Sequence, residues 1–327
     1  MRAVFLDYDS LRPADLDATP LIEILPELAL HAASTPAQVL ERVRDAEIVL
    51  LNKARLPREL LENAPQLRLV CLAATGIDNV DLDAARERGV GVCNIRAYCT
   101  PSVVQHVFAL LLELTQHLSA YRRQVAQGEW SRSTSFCLLD PPFRELADKN
   151  FGIVGFGALG TAVGRVAEAF GMRVIAAKRP YRLNDDSPAQ ADASGIARAG
   201  FGRLLRESDV ISLHCPLTDD TRRLISAEAL NLMRKDSILI NTARGGLVEP
   251  AALLEALAKG RIGGAGIDVI DQEPPPPDDL LVHARQPNLV LTPHIAWAAR
   301  EARQRAVDEL AANIRAFLRG ERRNRLD

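Results

Sequence analysis

Three polar side chains stand just past strand-like apolar runs in the second half of the chain. Arg244 follows the run in ILINTARG, Glu273 follows GIDVI within DQEPPPP, and His294 follows NLVLTPHI. In an open α/β sheet, ligands bind beyond the carboxyl ends of the strands. The three residues are a fixed cation, a carboxylate and a titratable acid/base, the set needed to reduce a 2-oxo acid. A guanidinium presents a planar fork of donors that holds a carboxylate and polarises the adjacent carbonyl. An imidazolium gives a proton to the developing alkoxide while a nicotinamide delivers hydride. An unperturbed histidine titrates at about 6.5, and a carboxylate neighbour such as Glu273 would favour its acid form. Each residue alone has a plainer reading: an Arg after a strand is commonly a surface ion-pairing group, a Glu before prolines is commonly solvated, and a lone His at a strand end is functional only in a minority of cases. His214, in VISLHCPLT, competes with His294 on position alone.

The reaction needs a hydride source, and the stretch NFGIVGFGALGTAVGRVAEA, residues Asn150 to Ala169, supplies a place for one. It reads as a short strand, Phe151 to Val154, a glycine turn and an alanine-rich helix. Gly155, Gly157 and Gly160 fit G-x-G-x-x-G in that setting. The first glycine permits a tight turn, the second lets the backbone approach a pyrophosphate, and the third lets helix and strand pack closely. The helix N-terminus then faces the phosphate charge. Gly155, Gly157, Ala158, Leu159 and Gly160 are the expected dinucleotide contacts; the alternative is a structural glycine turn. Rossmann domains that prefer NAD carry an acid about 20 residues beyond the glycines, on the ribose 2′-hydroxyl. Here that strand ends MRVIAAKRPYR, with Lys178 and Arg179 in place of the acid. Cations suit a 2′-phosphate, so NADP(H) is the favoured cofactor and NAD(H) the alternative. Asp185 and Asp186 follow soon after, and a loop that folded them inward would reverse the preference.

Strand-like and helical runs alternate through the chain. The first series of strands is Ala3–Leu6, Ile48–Leu51, Leu69–Ala73 and Val90–Cys93, with helices around Pro36–Asp45, Pro57–Asn63 and Leu82–Arg88. The second is Phe151–Val154, Arg173–Ala176, Val210–Leu213, Ile238–Asn241, Gly266–Val269 and Leu289–Leu291, with helices Ala158–Phe170, Ala227–Met233 and Ala251–Lys259. Apolar strands alternating with helices predict parallel sheets covered on both faces. Two series predict an α/β chain of two doubly wound domains. The apolar run Ser102–Gln116 reads as a helix buried between domains or subunits, and Tyr121–Arg144 as an arm reaching a partner subunit. Trp297–Leu318 reads as one long amphipathic helix, and Pro274–Pro277 as a stiff turn.

A length of 327 residues suits two domains. Net charge is −2 and the charged fraction 25%, which gives no electrostatic footprint for nucleic acid or an anionic membrane. The five cysteines, Cys71, Cys93, Cys99, Cys137 and Cys215, are odd in number and form no C-x-x-C. Neither a disulfide framework nor a metal site is expected, and a reducing cytoplasm is the natural compartment. The opening MRAVFLDYDS reads as a strand rather than a signal peptide, and no apolar run is long enough to span a bilayer.

The segments NTARGGLVEPAALLEAL, GGAGIDVIDQEP and PNLVLTPHIAWAAREA resemble motifs of the D-isomer-specific 2-hydroxyacid dehydrogenase family. AATGIDNVDLDAARERGVGVCNI, SVVQHVFALLL, FGIVGFGALGTAVGRVAEAFGMRV and SDVISLHCPLT extend the likeness in the family's order, from about Leu69 to Gly320. The details look closest to the glycerate dehydrogenase/hydroxypyruvate reductase branch. The resemblance implies that Arg244 orients substrate, that His294 is the proton donor and acceptor, and that Glu273 pairs with it. It places Ala74, Thr75 and Gly76 on a loop whose backbone N–H groups bind the substrate carboxylate, an ordinary strand-ending turn otherwise. It places Thr242 and Asp268 beside the nicotinamide and Trp297 on the pocket wall, although a Trp opening a helix is more commonly packing. Asn52 and Lys53 end an N-terminal strand, and a solvated loop is their plainer reading. The implied architecture is a flavodoxin-like substrate domain, residues 1–99 plus 297–327, interrupted by a Rossmann cofactor domain, residues 100–296. Gln105 stands where relatives usually carry Glu. The implied function is NAD(P)H-dependent reduction of hydroxypyruvate or glyoxylate to a D-2-hydroxy acid by a homodimer. A formate or phosphite dehydrogenase is one alternative on this scaffold, and a dinucleotide-sensing corepressor that binds peptides is another.

Overall fold

A strand that alternates apolar side chains onto both faces needs cover on both sides, and this rule organises the molecule. The computed structural model describes residues 1–192 and 195–326. It divides into one unit of Met1–Cys99 with Trp297–Asp327 and a second of Thr100–Ala296.

In the first unit, β1 (Ala3–Phe5), β2 (Leu28–Leu30), β3 (Ile48–Leu51), β4 (Leu69–Leu72) and β5 (Gly91–Cys93) form a parallel sheet in the order β2-β1-β3-β4-β5. Phe5, Ile48, Leu50, Leu69 and Cys71 point to one face, where they meet Val307, Leu310 and Ile314 of the helix Arg300–Leu318. Their neighbours Val4, Val49, Leu51, Val70 and Leu72 point to the other, against Val39 and Val43 of the helix Pro36–Val43. That helix starts where Thr35 and Gln38 cap each other's backbone ahead of Pro36. The terminal helix begins at Arg300, not at Trp297. Arg303 holds the preceding turn apart: its Nε donates to the Ala298 carbonyl at 2.9 Å, and its Nη atoms grip Asp15 at 2.7 and 2.8 Å. β2 was not legible because it is an edge strand of three residues with an exposed face.

In the second unit the strands are β6 (Asn150–Val154), β7 (Arg173–Ala177), β8 (Gln190–Ala191), β9 (Ala197–Ala199), β10 (Val210–Leu213), β11 (Ile238–Asn241), β12 (Gly264–Ile267) and β13 (Leu289–Leu291). Their order is β13-β12-β11-β10-β6-β7-β9-β8, parallel except for the β8–β9 pair. The chain winds one way from β6 through β7 and the other way from β10, so the topological switch lies between β6 and β10. Carboxyl ends of strands at a switch point form a ligand crevice.

One expectation needs correcting here: β12 lies two residues earlier than expected. The helix Thr100–Gln116 packs on the second unit's own sheet. The two observations have one cause. Glycines at 264 and 266 hide the strand period, and they exist to admit that helix. A Cβ on Gly266 would lie 2.9 Å from Leu110 Cβ, and one on Gly264 3.1 Å from Leu114 Cδ2. Phe108 on the same helix stacks between Phe151 and Phe170, at centroid distances of 6.0 and 5.2 Å.

The segment read as an arm is helical over Leu118–Ala126 and again over Glu129–Arg132. Neither helix buries a residue, which is why no period showed. The chain after them folds back: Tyr121 Oη donates to the Pro141 carbonyl at 2.6 Å and Gln124 Nε2 to Asp140 O at 2.8 Å. Among the described residues, no helix is long and apolar enough to cross a membrane, and no group of three His, Cys, Asp or Glu is placed to hold a metal.

Candidate active site

The glycine turn after β6 is built around Gly155. Its φ is +98°, and a Cβ there would lie 2.4 Å from the Cys215 nitrogen. Only glycine fits both demands. A Cβ on Gly160 would lie 2.3 Å from Gly155 O, so the helix Ala158–Ala169 closes directly onto the turn. Gly157 is different: among the described residues nothing lies within 4 Å of its Cβ position, and its backbone is exposed. It is also the N-cap and has no side chain to cap the helix. The first N–H groups of an α-helix lack intrahelical acceptors and carry its positive end. Thr242, just past β11, has its Oγ1 buried without a partner among the described residues. An uncapped N-terminus, an open glycine backbone and an orphaned hydroxyl fit a dinucleotide.

At the end of β7, the Lys178 amide donates to Ala199 O at 2.8 Å, and its Nζ lies 3.5 Å from Ser187 Oγ. Arg179 rests against Tyr181, with Nε 3.4 Å from the phenol oxygen. The acids that follow are engaged. Asp185 accepts the Ser187 amide at 3.0 Å, and Asp186 pairs with Arg206. The Asp185 carboxyl is held below its ordinary value first by Ser187, with Lys178 and Arg182 adding a smaller electrostatic effect.

Arg244 lies in a turn fixed by buried Asn241. Asn241 Nδ2 donates to Arg244 O at 2.9 Å, and its Oδ1 accepts the Ala243 amide at 3.0 Å. The next residue, Gly245, presses on the loop that carries Glu273: a Cβ there would lie 2.0 Å from the Ile270 carbonyl carbon. Glu273 Oε1 accepts the Ile270 amide at 3.1 Å, while its Oε2 meets His294 Nδ1. Among the described residues no protein group bonds His294 Nε2, which leaves that nitrogen open for a ligand.

His294 has φ +54°, a left-handed conformation that is strained for a residue with a Cβ and costs of order 1–3 kcal/mol. The fixing comes from beneath. The His294 amide donates to Asp268 O at 2.7 Å. The Asp268 carboxylate, 1% exposed, accepts from Thr292 Oγ1 at 2.6 Å and from the amides of Ile295 and Ala296 at 2.9 and 2.8 Å. Burial alone would raise this carboxyl, but bonds from His106, Thr292 and the two amides outweigh it and hold it below the usual range. Asp268 is therefore occupied with the 292–296 turn. His106 and Thr292 were missed in the sequence, since nothing local marks two residues 186 apart that meet at 2.9 Å.

In the first unit, buried Asp7 accepts the amides of Asn52, Lys53 and Ala54. Asn52 is itself buried at 4% exposure, not solvated. The loop of Ala74, Thr75 and Gly76 is held from behind: Thr75 Oγ1 donates to Ile95 O at 2.9 Å, and Asn94 Nδ2 to Thr75 O at 2.8 Å. No acceptor among the described residues takes the N–H of Thr75 or Gly76. Trp297 packs beside Tyr98, with centroids 6.4 Å apart.

Burial separates the two competing histidines. His214 has Nε2 2.9 Å from Ser212 Oγ and Nδ1 buried with no partner among the described residues. Burial brings its pKa down to about 4, so it is neutral where His294 has a carboxylate partner and an open nitrogen.

Residues 108–296 match the family model described as D-isomer specific 2-hydroxyacid dehydrogenase, NAD binding domain. Over 325 residues the chain is 42% identical to a glycerate dehydrogenase of Methylorubrum extorquens, covering 99% of this chain and 98% of that one. It is 38% identical over 326 residues to a hydroxypyruvate reductase of Blautia hydrogenotrophica, covering 98% of each. Among solved structures, an acyclic imino acid reductase in complex with NADPH and D-Arg matches with a TM-score of 0.85 at 27% identity, over 100% of both chains.

The depressed His214 value has a measurable consequence. The unfolded state takes up this proton near the ordinary value of 6.5, the folded state only near 4. The stability His214 contributes is therefore complete above 6.5 and is lost as pH falls from there towards 4. An NMR titration of the folded protein should find the His214 ring neutral at pH 5.5; a midpoint above 6 would contradict the buried environment.

Proposed function

The chain belongs to the D-isomer-specific 2-hydroxyacid dehydrogenase family, so its reaction interconverts a 2-oxo acid and a D-2-hydroxy acid, and we propose that hydroxypyruvate and glyoxylate are its favoured substrates and NADP(H) its favoured coenzyme. The observation that carries the reading is the Glu273–His294 pair at the ends of β12 and β13, with Nε2 open. A bound nicotinamide supplies and takes back the hydride. The chain's own residues bind, orient and move the proton. Gly157, Ala158 and Leu159 bring the helix N-terminus to a pyrophosphate on the tight turn that Gly155 and Gly160 allow, and Thr242 offers a hydroxyl with no partner among the described residues. Arg244 holds the substrate carboxylate with its fork and draws electron density from the carbonyl. In the first unit, the amides of Thr75 and Gly76, with no acceptor among the described residues, offer donors suited to an anion. His294 gives the proton on Nε2 to the carbonyl oxygen as it becomes an alkoxide, and takes it back in the oxidative direction. Glu273, bonded to Nδ1, fixes the ring's orientation. The names of the Methylorubrum and Blautia relatives support the substrate choice.

Lys178 and Arg179 support the coenzyme choice, since cations attract a 2′-phosphate by charge-assisted bonds. We further propose a homodimer. Leu118, Val125, Trp130, Phe136, Leu139 and Phe143 are exposed on the 118–143 segment, Phe136 at 89%, and a second copy would cover them. Five free thiols suit a reducing cytoplasm.

Replacing His294 by Gln should lower kcat on hydroxypyruvate by about 10²–10⁴-fold with coenzyme affinity retained. Wild-type turnover in that variant would remove His294 from the mechanism. Side-by-side steady-state kinetics should give a higher kcat/KM with NADPH than with NADH. The pair of changes Lys178→Ala and Arg179→Ala should raise KM for NADPH far more than for NADH, and added salt should shrink the NADPH advantage. A clear NADH preference in the unaltered protein would refute the coenzyme assignment. Sedimentation equilibrium should return about twice the 35.7 kDa chain mass, and a monomer at micromolar concentration would rule out the dimer.

A further inference from the structure

We propose that His106 is a positioning residue for this reaction, fixing the turn that carries His294 through Thr292 and Asp268; the inference rests on the assignment of His294 as proton donor. The argument starts from helix spacing. Ser102 and His106 are four apart on the helix Thr100–Gln116 and so share one face. Ser102 Oγ donates to Ala296 O at 2.6 Å, and His106 Nε2 lies 2.9 Å from Thr292 Oγ1. The two contacts pin the chain two residues before and two residues after His294.

Proton counting fixes the direction of the His106 contact. The Thr292 hydroxyl has one proton and directs it to Asp268 Oδ1 at 2.6 Å. Its oxygen can then only accept from His106, so the proton of His106 is on Nε2. That same Nε2 lies 3.4 Å from Asp268 Oδ1. The carboxylate passes the constraint on, because its two oxygens also hold the amides of Ile295 and Ala296 while its carbonyl holds the amide of His294. With φ at +54°, His294 depends on these bonds to stay in place. The neighbours of His106 on the helix, Val103, Val107 and Leu110, are buried apolar residues. An aliphatic side chain at 106 would meet the same packing demand, and only the bond to Thr292 requires a donor there.

The test is steady-state kinetics on hydroxypyruvate for the wild type, His106→Leu, His106→Gln and Thr292→Val, each below its own melting temperature. Misplacing a catalytic group by an ångström costs about 10²-fold. His106→Leu and Thr292→Val should therefore lower kcat by roughly 10–100-fold, with the Kd for NADPH unchanged. His106→Gln, which keeps an N–H donor, should recover most of that loss. In a His294→Ala background, adding His106→Leu should cost nothing further, because the group being positioned is gone. A purely structural residue would lower the melting temperature and leave kcat of the folded enzyme alone. Wild-type kcat in both His106→Leu and Thr292→Val, or a full additive loss in the double variant, overturns the proposal. A readout independent of turnover separates this failure from failure of the functional reading. In ¹⁵N-imidazole NMR, the His294 Nδ1 resonance bonded to Glu273 should broaden or disappear in His106→Leu and Thr292→Val. If the wild type reduces no 2-oxo acid, the functional reading falls and the spectrum alone decides: an unchanged His294 resonance overturns the positioning role.

Discussion

Three donors converge on the Asp268 carboxylate, which lies at 1% exposure beyond the end of β12, and His106 Nε2 lies 3.4 Å from it. A buried carboxylate is tolerated only when its lone pairs are occupied. Here the donors that occupy them belong to the turn carrying His294, and His106 belongs to the helix Thr100–Gln116. Satisfying one buried charge therefore fixes the turn that carries His294. The dependency continues backwards. His106 and Ser102 reach the turn only because their helix lies close to the sheet, and it lies close only because β12 presents glycine at 264 and 266. Strand composition, helix approach and imidazole placement are one constraint followed through three levels.

The dinucleotide turn obeys a similar logic with opposite sign. At Gly155 and Gly160 a side chain would collide with backbone, so glycine serves the protein's own packing. At Gly157 a side chain would collide with nothing among the described residues, so packing gives no reason for glycine there. An open backbone at an uncapped helix N-terminus is best explained by a ligand that needs to come close. The comparison separates structural from functional glycines within one motif.

Most strands were legible because apolar runs of four or five residues bounded by polar loops have few other uses in an alternating α/β pattern. The glycine turn and the residues past the strand ends were legible for the same reason, since topology places them at the crevice. What failed depended on tertiary approach. Glycines at 264 and 266 mimicked a loop, and the helix Thr100–Gln116 is nearly all apolar, so its period could not say which neighbour it covers. His106 carried no local mark at all, sitting in SVVQHV among aliphatic residues. The place of Asp268 in the chain was visible in the sequence, while the donors it serves were not.

The two histidines show how little residue type and topology decide without solvent and partners. Both follow parallel strands of one sheet, β10 and β13. His214 is turned inward, bonded to a neutral hydroxyl, and its charged form is suppressed by desolvation. His294 is bonded at Nδ1 by a carboxylate that fixes which nitrogen remains open, on a backbone held in an unfavourable conformation by the bonds around Asp268. A ring that must hand over a proton needs one nitrogen tethered and the other free. In the second unit His294 meets both conditions, whereas burial denies His214 the protonated state that would make its position useful.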